Sequence, residues 1–420
     1  MHKKSILFVL PFLPFPLISG GHQALFNGIM AVKDHYNVSI AYKGCNDEEH
    51  RSAQEEFKKL LPNVRLFPCL SPQPAPASWK LRFIWKVRHV LDRILGTTDS
   101  HTKVVENPLG SWWVKSVTPI DKKWVEHIDL VCKKEHFDII QVEMPWRISD
   151  VLILPKESKK IFVHHELGFV RRELELKKSG NSAYAKACKH FADFNEVEQL
   201  NKYDAIISLS PIDSDKLHEV GVLSPVYTSF AIVDTSKELV LPSFVEKRIT
   251  FVGPDSHSPN FVGIKWFLEN CWQKLKTMDN GYSLDIIGNW SDENREMCLA
   301  KYDGVRFLGF VDNLYDVLKG SVMIVPITVG SGIRMKILEA CSMGIPFVST
   351  TVGAEGIPVE DGKHCYLTDD TEQFVSDILK LNNLKHQCLF ASNAYKMLKN
   401  NYSLNALAKN RRDIYTQILS

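Results

Sequence analysis

Short apolar runs alternate with helical patterns along this chain, and the alternation constrains its fold more than any other feature. A run at 5–10 leads through a glycine-containing loop to a helical pattern at 23–35, and a second run follows at 38–42. Later runs of the same kind are FDIIQVE (137–143), KIFVHHE (160–166) and YDAIISLS (203–210). Alternating strands and helices predict a parallel sheet that is covered by helices on both faces.

The same pattern starts again near residue 248. This second part contains a helical pattern at 261–276 and the apolar runs RITFVG (248–253), YSLDIIG (282–288), VRFLGF (305–310), SVMIVPI (321–327) and PFVSTT (346–351). The 420 residues suffice for two domains of ordinary size. We therefore predict an α/β protein with two Rossmann-like domains, residues 1–235 and 236–400, that face each other across a cleft. A C-terminal helix at 401–420 is expected to cross back to the first domain.

The composition argues against a nucleic-acid-binding, disulfide-bonded or metal-centred protein. The net charge is only +2, so it predicts no general affinity for polyanions. The nine cysteines are scattered and include no C-x-x-C pair, which predicts reduced thiols in a cytoplasmic protein and no zinc site. Neither G-x-G-x-x-G nor G-x-x-x-x-G-K-[ST] occurs, so the fingerprints of nicotinamide and ATP binding are missing.

Two segments of the sequence bear on membrane contact. Residues 1–21 have the basic start and apolar run of a secretory signal, but their three prolines favour a buried strand followed by a loop. No run of about 20 apolar residues occurs elsewhere, so we expect no spanning helix. Residues 78–95 form a basic amphipathic pattern, which fits either an anionic lipid surface or ordinary packing within a domain. The lipid interpretation predicts a peripheral location at the inner face of the plasma membrane.

The segment VGSGIRMKILEA (329–340) is the strongest candidate for a binding site. A glycine-bracketed turn leads into a helix whose start carries Arg334 and Lys336, where the helix dipole disfavours positive charge. An anionic ligand would explain this placement, because a guanidinium and the first amides of a helix together bind phosphate. Glu339 lies about 7.5 Å further along the helix axis than Arg334, within reach of ribose hydroxyls. The alternative is an ordinary amphipathic helix with solvated basic residues.

This segment resembles the C-terminal domain of GT-B nucleotide-sugar glycosyltransferases of family 4. The resemblance covers about 248–370 closely and extends through ITFVGPDSHSPNFVGIKWFLENCW, LDIIG, VSTTVGAEGI and GKHCYLTDD. It implies the GT-B fold, a donor ribose bound by Glu339, and a leaving diphosphate stabilised by Arg334 and Lys336. Many family members carry another Glu eight positions before Glu339. Ser331 stands there in this chain, which resembles the branch with a GSG-x-R-x-K-I-L-E signature.

The resemblance also marks further positions beside the donor. In the second domain these are Gly253, Gly288, Gly330, Ser331, Gly332, Gly353, Ala354 and Glu355. Family members often carry Arg and Lys in the loop that here reads GPDSHSPN, so Arg334 and Lys336 are expected to take over that charge. In the first domain, Gly20 and Gly21 are expected to lie against the donor phosphates and the acceptor, although a strand-to-helix turn often needs glycine anyway.

The apolar run at 160–166 ends in two histidines and an acid, and the family commonly has a histidine after the corresponding strand, close to the donor sugar. Strand alternation turns His165 the same way as Val163, and we therefore favour His165 over His164. Either histidine could instead be a core residue with a satisfied ring. Glu143 and Trp146, which follow an earlier strand, are candidates for the acceptor side.

The acid pair in DSD (213–215) imitates the metal site of the other major glycosyltransferase fold. It follows SLSPI, where Ser210 is a natural N-cap, so we assign it to helix capping. We accordingly expect no metal ion and no cofactor. The basic residues of the 330–339 segment would replace a metal in stabilising the leaving diphosphate.

The resemblance implies transfer of a sugar from a UDP- or GDP-linked donor to a hydroxyl group, with retention of anomeric configuration. The expected acceptor is a glycan or a lipid-linked sugar, in bacterial-type synthesis of surface polysaccharides or glycoconjugates. No nucleic-acid partner is expected. Two alternatives remain: a nucleotide-sugar epimerase on the same fold, and a non-catalytic sugar-nucleotide-binding protein.

Overall fold

The computed structural model describes residues 3–18, 20–71, 121–178, 180, 182–230, 238–330 and 332–420. Within them the chain forms two parallel sheets, one of seven strands and one of six, with helices between the strands. These two sheets confirm the predicted pair of Rossmann-like domains. The amphipathic segment 78–95, Ser331 and the predicted domain boundary at residue 235 lie outside the described residues.

The first sheet has the strand order β3-β2-β1-β4-β5-β6-β7, and all of its strand pairs are parallel. Its strands are β1 Ser5–Leu10, β2 Asn37–Cys45, β3 Arg65–Ser71, β4 Ile139–Glu143, β5 Lys159–His164, β6 Ala205–Ser208 and β7 Val226–Thr228. Its helices are α1 Gly20–Val32, α2 Glu48–Leu60, α3 Lys122–Lys134, α4 Gly168–Lys178, α5 Ala183–Leu200 and α6 Pro211–Glu219, with a 3₁₀ segment at Pro145–Ile153. The order of the strands reverses between β1 and β4, and ligands of such sheets bind at this kind of point.

The second sheet has the order β10-β9-β8-β11-β12-β13 and is also parallel. Its strands are β8 Arg248–Val252, β9 Ser283–Ile287, β10 Val305–Gly309, β11 Val322–Val325, β12 Phe347–Ser349 and β13 Tyr366–Leu367. The helices that follow β8 in the chain are α7 Ser258–Phe267, α8 Gln273–Met278, α9 Asp292–Leu299, α10 Leu314–Leu318, α11 Met335–Met343, α12 Thr371–Lys380, α13 Leu384–Tyr402 and α14 Leu404–Leu419. A π-helical turn at Leu268–Trp272 joins α7 to α8, so the predicted helix at 261–276 lies inside a longer helical stretch.

Both faces of the first sheet are buried, which explains why its strands read as continuous apolar runs. Ile6 and Phe8 of β1 pack into one hydrophobic cluster, whereas Leu7 and Val9 pack into the cluster on the opposite face. The run at 5–10 is thus a strand. Pro11 follows its last residue and, lacking an N–H group, cannot continue the ladder.

Side-chain caps set several helix starts. Ser210 Oγ accepts a hydrogen bond of 3.0 Å from the Asp213 amide at the start of α6. This bond confirms Ser210 as the N-cap and puts Asp213 of DSD in the first turn of α6. The same device begins α2, where the Asp47 carboxylate accepts from the His50 amide at 2.7 Å.

The last helix of the chain, α14, packs on the first domain although it follows the second. Leu407, Ile414, Tyr415 and Ile418 belong to the same hydrophobic cluster as β1 and α1. The rings of Tyr36 and Tyr415 meet edge to face with centroids 5.5 Å apart. The chain end therefore completes the core of the first domain.

In the described part of the chain, every helix is too short or too polar to cross a bilayer. All nine cysteines are free thiols, and six of them are buried.

Candidate functional site

The segment around Gly332 lies where the two domains meet. A Cβ atom added to Gly332 would lie 3.2 Å from the carbonyl oxygen of His165, and one added to Gly20 would lie 3.3 Å from Met335 Cγ. Further along, Lys216 Nζ of α6 is 3.0 Å from Glu355 Oε1 of the second domain. The predicted binding segment thus faces the first domain and not bulk solvent.

The turn before α11 is built from residues with unusual backbone angles. Gly330 and Gly332 have φ values of 116° and 83°, a region that side chains with a Cβ rarely adopt. Arg334 follows in a non-helical conformation at the N-cap, so α11 begins at Met335 and not at 333 as predicted. Two glycines and a non-helical arginine therefore shape the approach to the helix start.

Arg334 is a buried cation, only 8% exposed. Its Nη1 donates a hydrogen bond to the carbonyl oxygen of Gly332, which turns the guanidinium back over the glycine turn. Burial lowers the pKa of Arg334, while the carboxylates of Glu355, Glu166 and Asp213 act in the opposite direction. Two of these acids, Glu166 and Asp213, belong to the first domain, so the guanidinium lies in the field of both domains.

Lys336 on α11 contacts one residue of α7 and one of β8. Its Nζ donates to Asn260 Oδ1 at 2.8 Å and lies 4.2 Å from the centroid of the Phe251 ring. Burial lowers the pKa of Lys336 to about 7, and the nearby Arg334 acts in the same direction. An ammonium in this setting gains from an anion, because few other groups offset its lost hydration.

Asn260, near the start of α7, is a site residue that the sequence analysis missed. Its Nδ2 donates to the carbonyl oxygen of Pro254 at 2.8 Å while its Oδ1 accepts from Lys336. Gly253 makes room for it, because a Cβ at Gly253 would lie 2.4 Å from Asn260 Nδ2 and 3.0 Å from Lys336 Nζ. The sequence contains one indirect signal for Asn260. The loop GPDSHSPN lacks basic residues, and Lys336 needs a hydrogen-bond partner.

Gly288 lies against Gly253, so the loops after β8 and β9 touch. A Cβ at Gly288, whose φ is 126°, would lie 2.8 Å from the carbonyl carbon of Gly253. Glu339 follows one turn after Lys336 on α11 and is partly buried. Burial raises the pKa of Glu339, and Lys336 opposes that rise. The structure thus brings Gly253, Gly288, Lys336 and Glu339 to one edge of the second sheet.

The loop after β12 contributes mainly backbone. A Cβ at Gly353 would lie 2.4 Å from Ser349 Oγ and 2.6 Å from the carbonyl oxygen of Val325, so this turn requires glycine. Ala354 is buried in the core of the second domain. Glu355 is engaged with Lys216 across the domain junction. Of the three predicted donor-border residues, Glu355 alone directs a functional group between the domains.

Gly20 and Gly21 are the first residues of α1, whereas the sequence analysis placed them in a loop before a helix at 23–35. At Gly20 the junction is tight, because an added Cβ would lie 3.3 Å from Met335 Cγ. Gly20 lies against Met335 of α11. The two predicted glycine sites, one in each domain, are therefore close neighbours.

The two histidines lie on opposite faces of the first sheet. His164 is buried, and its Nε2 lies 2.9 Å from Glu196 Oε1 on α5. Glu196 also accepts a hydrogen bond from Arg172 Nη2. Burial alone would raise the pKa of Glu196, but Arg172 and His164 hold this pKa at about 2. His164 is thus a core histidine with an ionic partner.

His165 lies at the domain junction, and its Nε2 is 2.7 Å from Glu143 Oε2. The faces alternate as the sequence analysis assumed, since Val163 packs into one cluster and Phe162 into the other. Glu143 is buried and bonds to His165 and Gln141, so its carboxylate does not face an open acceptor surface. Trp146 packs at the edge of the first-domain core.

Across the residues that the structure describes, no group of three or more His, Cys, Asp or Glu side chains is arranged to hold a metal ion. This statement concerns side-chain arrangement alone. Metal independence of the reaction stays a prediction.

Comparison with known proteins finds a family model that matches part of the chain. Residues 246–383 match the family model described as glycosyl transferases group 1. A curated relative, an uncharacterized 44.6 kDa protein in the cps region of Klebsiella pneumoniae, is 24% identical over 165 residues. That match spans 37% of this chain and 42% of the relative.

Two solved structures share the whole architecture at low sequence identity. TarM, known from S. aureus, has a TM-score of 0.70 at 12% identity and covers 100% of this chain and 99% of its own. Anabaena Alr3699/HepE in complex with UDP has a TM-score of 0.63 at 11% identity, over 98% of this chain and 100% of its own. Most of the second domain is therefore similar to the glycosyl transferases group 1 model, and the chain has the two-domain GT-B fold.

Proposed function

We propose that this protein transfers a sugar from a nucleoside diphosphate sugar to a hydroxyl group of a glycan or a lipid-linked acceptor. The family match over the second domain supports sugar transfer. HepE was crystallised with UDP, and a TarM variant with fondaparinux, alpha-GlcNAc-glycerol and UDP, which supports a uridine-linked donor; guanosine is the second candidate. We place the chain in the family 4 branch with the GSG-x-R-x-K-I-L-E signature.

The observation that carries this proposal is the pair of enclosed cations at the start of α11. Arg334 loses hydration at the domain junction and Lys336 loses it within the second domain, both at a helix end where the dipole disfavours positive charge. A diphosphate between the domains would compensate for both costs. Glu339, further along the same helix, would accept hydrogen bonds from the donor ribose.

Charge develops on the diphosphate as the bond to the sugar breaks. Preorganised amides at the start of α11, together with Arg334 and Lys336, would stabilise this charge without a metal ion. His165 lies beside the Gly332 turn and would contact the donor sugar. We propose retention of anomeric configuration, with departure of the diphosphate helped electrostatically and no covalent intermediate.

The biological setting belongs to this proposal as well. The curated relative is named by its place in a cps region, which supports a role in bacterial surface polysaccharide or glycoconjugate synthesis. A cytoplasmic protein that contacts the inner membrane face through residues 78–95 would fit lipid-linked acceptors. Sedimentation with anionic vesicles, compared between the whole protein and a variant with neutral residues in 78–95, tests that contact.

Donor binding tests the site directly. Arg334→Ala and Glu339→Ala should each weaken UDP or UDP-sugar binding by about tenfold or more, because each removes charged hydrogen bonds to the ligand. Isothermal titration calorimetry on the folded variants gives the affinities. Arg295→Ala is the matched control, since Arg295 is a half-exposed arginine of the same domain that pairs with Asp292. Wild-type affinity and turnover in both site variants would contradict the assignment.

Product analysis separates the proposed reaction from its alternatives. A transferase needs an acceptor and releases a nucleoside diphosphate, whereas an epimerase converts the purified donor alone with no change in total nucleotide sugar. A non-catalytic binding protein would bind the donor and yield neither product. Incubating the purified protein with donor, with and without acceptor, distinguishes the three outcomes.

A further inference from the structure

A buried hydrogen-bond chain runs from the last helix of the protein to His165 at the domain junction. Tyr415 Oη on α14 donates to Gln141 Oε1, and Gln141 Nε2 donates to Glu143 Oε1 at 2.6 Å. Glu143 Oε2 lies 2.7 Å from His165 Nε2. Tyr415, Gln141 and Glu143 are all buried, so water does not compete for these bonds.

The direction of each hydrogen bond follows from the groups involved. The Tyr415 hydroxyl occupies the amide oxygen of Gln141, which leaves the amide nitrogen facing Glu143. A carboxylate accepts hydrogen bonds, so the ring nitrogen of His165 beside it must carry a proton. For a neutral ring, the chain therefore specifies the Nε2–H form of His165 and leaves Nδ1 as the ring nitrogen that can accept a hydrogen bond.

Two other charged residues lie near His165 in space or sequence, Arg411 and Glu166. Arg411, one turn before Tyr415 on α14, is 5% exposed and lines a cavity of about 10 Å³ together with Glu143, His165 and Gly28. Among the described residues, its Nε and Nη1 have no hydrogen-bond partner. The next acid, Glu166, pairs with Arg171 Nε at 3.0 Å.

We propose that Tyr415 and Gln141 are positioning residues for His165. Acting through Glu143, they hold the imidazole in one tautomer and one orientation at the domain junction. Because α14 follows the second domain in the sequence and packs on the first, His165 of the first domain is correctly set only once this helix has docked. The catalytic consequence rests on the proposed function, whereas the effect on the tautomer does not.

Nuclear magnetic resonance of the full-length protein with ¹⁵N-labelled histidine tests the tautomer directly. His165→Gln identifies the His165 signals. The wild type should show the Nε2–H form, and Tyr415→Phe and Gln141→Leu should move the ring ¹⁵N shifts toward those of a tautomer mixture. Tyr415→Phe keeps the ring and the packing, so it remains informative if Gln141→Leu folds poorly. Unchanged His165 signals in Tyr415→Phe would overturn the proposal.

Tyr402→Phe is the matched control. Tyr402 is a buried tyrosine on α13, and its hydroxyl has no hydrogen-bond partner among the residues described. Tyr402→Phe removes a buried tyrosine hydroxyl oxygen from the core of the second domain, whereas Tyr415→Phe removes one from the core of the first. The His165 signals should therefore stay as in the wild type. A shift as large as that of Tyr415→Phe would mean that any buried hydroxyl has this effect, which contradicts a specific chain of bonds.

Kinetics give a second readout. Tyr415→Phe should lower kcat by about tenfold with the donor KM within about threefold, because substrate binding is retained while His165 is less well held. The double variant Tyr415→Phe/Gln141→Leu should be no slower than Gln141→Leu alone, since the tyrosine acts through the glutamine. Additive losses would overturn the relay. Shifted His165 signals in a protein without transferase activity would instead refute the proposed function and leave this inference standing.

Discussion

Two residues at this site, Lys336 and Arg334, carry positive charge in buried surroundings. Lys336 is the clearest case: its ammonium lies between an amide oxygen of Asn260 and the face of Phe251, and burial lowers its pKa to about 7. Arg334, two residues earlier, keeps its charge at any physiological pH. One cation of the pair therefore titrates near neutrality, and the other does not.

This difference predicts that diphosphate binding takes up a proton. A bound anion favours protonated Lys336. Binding therefore raises the pKa of Lys336 above its value of about 7 in the ligand-free protein. Affinity for UDP should therefore fall as the pH rises from about 7 to 9, and binding at about pH 8 should take up nearly one proton per site, whereas well below 7 both states are already protonated. Calorimetry in buffers of different ionisation enthalpy measures the uptake.

Lys336→Arg provides the control for that experiment. The guanidinium stays protonated over the whole range, so the uptake should disappear while the charge at the position is kept. An equal uptake in Lys336→Arg would assign the proton to another group.

At the scale of elements, α7 is the scaffold that holds the site together. It follows the glycine loop after β8 and carries Asn260 near its start. One turn later Gly263 lies directly on the chain beyond β11, where a Cβ would come within 2.7 Å of the Pro326 carbonyl oxygen. The close packing of α7 on the second sheet therefore fixes the distance of Asn260 from the ends of the strands.

Gly263→Ala should be about 1–3 kcal/mol less stable than Gly28→Ala, because the added methyl group at Gly263 forces α7 away from a rigid carbonyl. Both variants gain about 1 kcal/mol from placing alanine in a helix interior, so the difference between them reports the clash. Gly28→Ala on α1 is the control, since its Cβ would meet no atom nearer than 3.9 Å. Urea denaturation gives the free energy of unfolding of both variants. A Gly263→Ala protein as stable as Gly28→Ala would refute the packing argument.

At the scale of the whole molecule, the end of the chain ties the two domains together. The polypeptide leaves the second domain through α13 and returns in α14 to the core of the first domain. Lys216 and Glu355 add a partly exposed ion pair across the junction, which contributes about 0–1 kcal/mol. The returning helix is thus the stronger link.

Leu407→Ala on α14 should cost about 2–5 kcal/mol of first-domain stability, because it leaves a cavity between α14 and the sheet. Leu404→Ala on the same helix is the matched control: Leu404 is 37% exposed, against 6% for Leu407. Hydrogen exchange measured by mass spectrometry should show faster exchange in α1 for the first variant only. Equal protection of α1 in both variants would mean that α14 contributes little to that core.

Local sequence patterns predicted the elements well where burial dictates the residue types. The strand at 5–10 was predicted with the bounds that the structure shows, since a strand buried on both faces must be apolar throughout and Pro11 ends it. Helix starts were less predictable. Arg334 was assigned to the first turn of a helix, but its backbone is not helical, because the preceding glycines set a different approach to α11.

The sequence by itself determined the strand–helix alternation, the two domains and the segment that carries Arg334, Lys336 and Glu339. It could do so because buried strands, glycine turns and helix starts leave local patterns in residue type. Only the tertiary structure decided which side chains meet. Lys336 and Asn260 are 76 positions apart, His165 and Glu143 are 22, and Tyr415 and Gln141 are 274. Such contacts depend on how whole elements pack, and no local pattern encodes them.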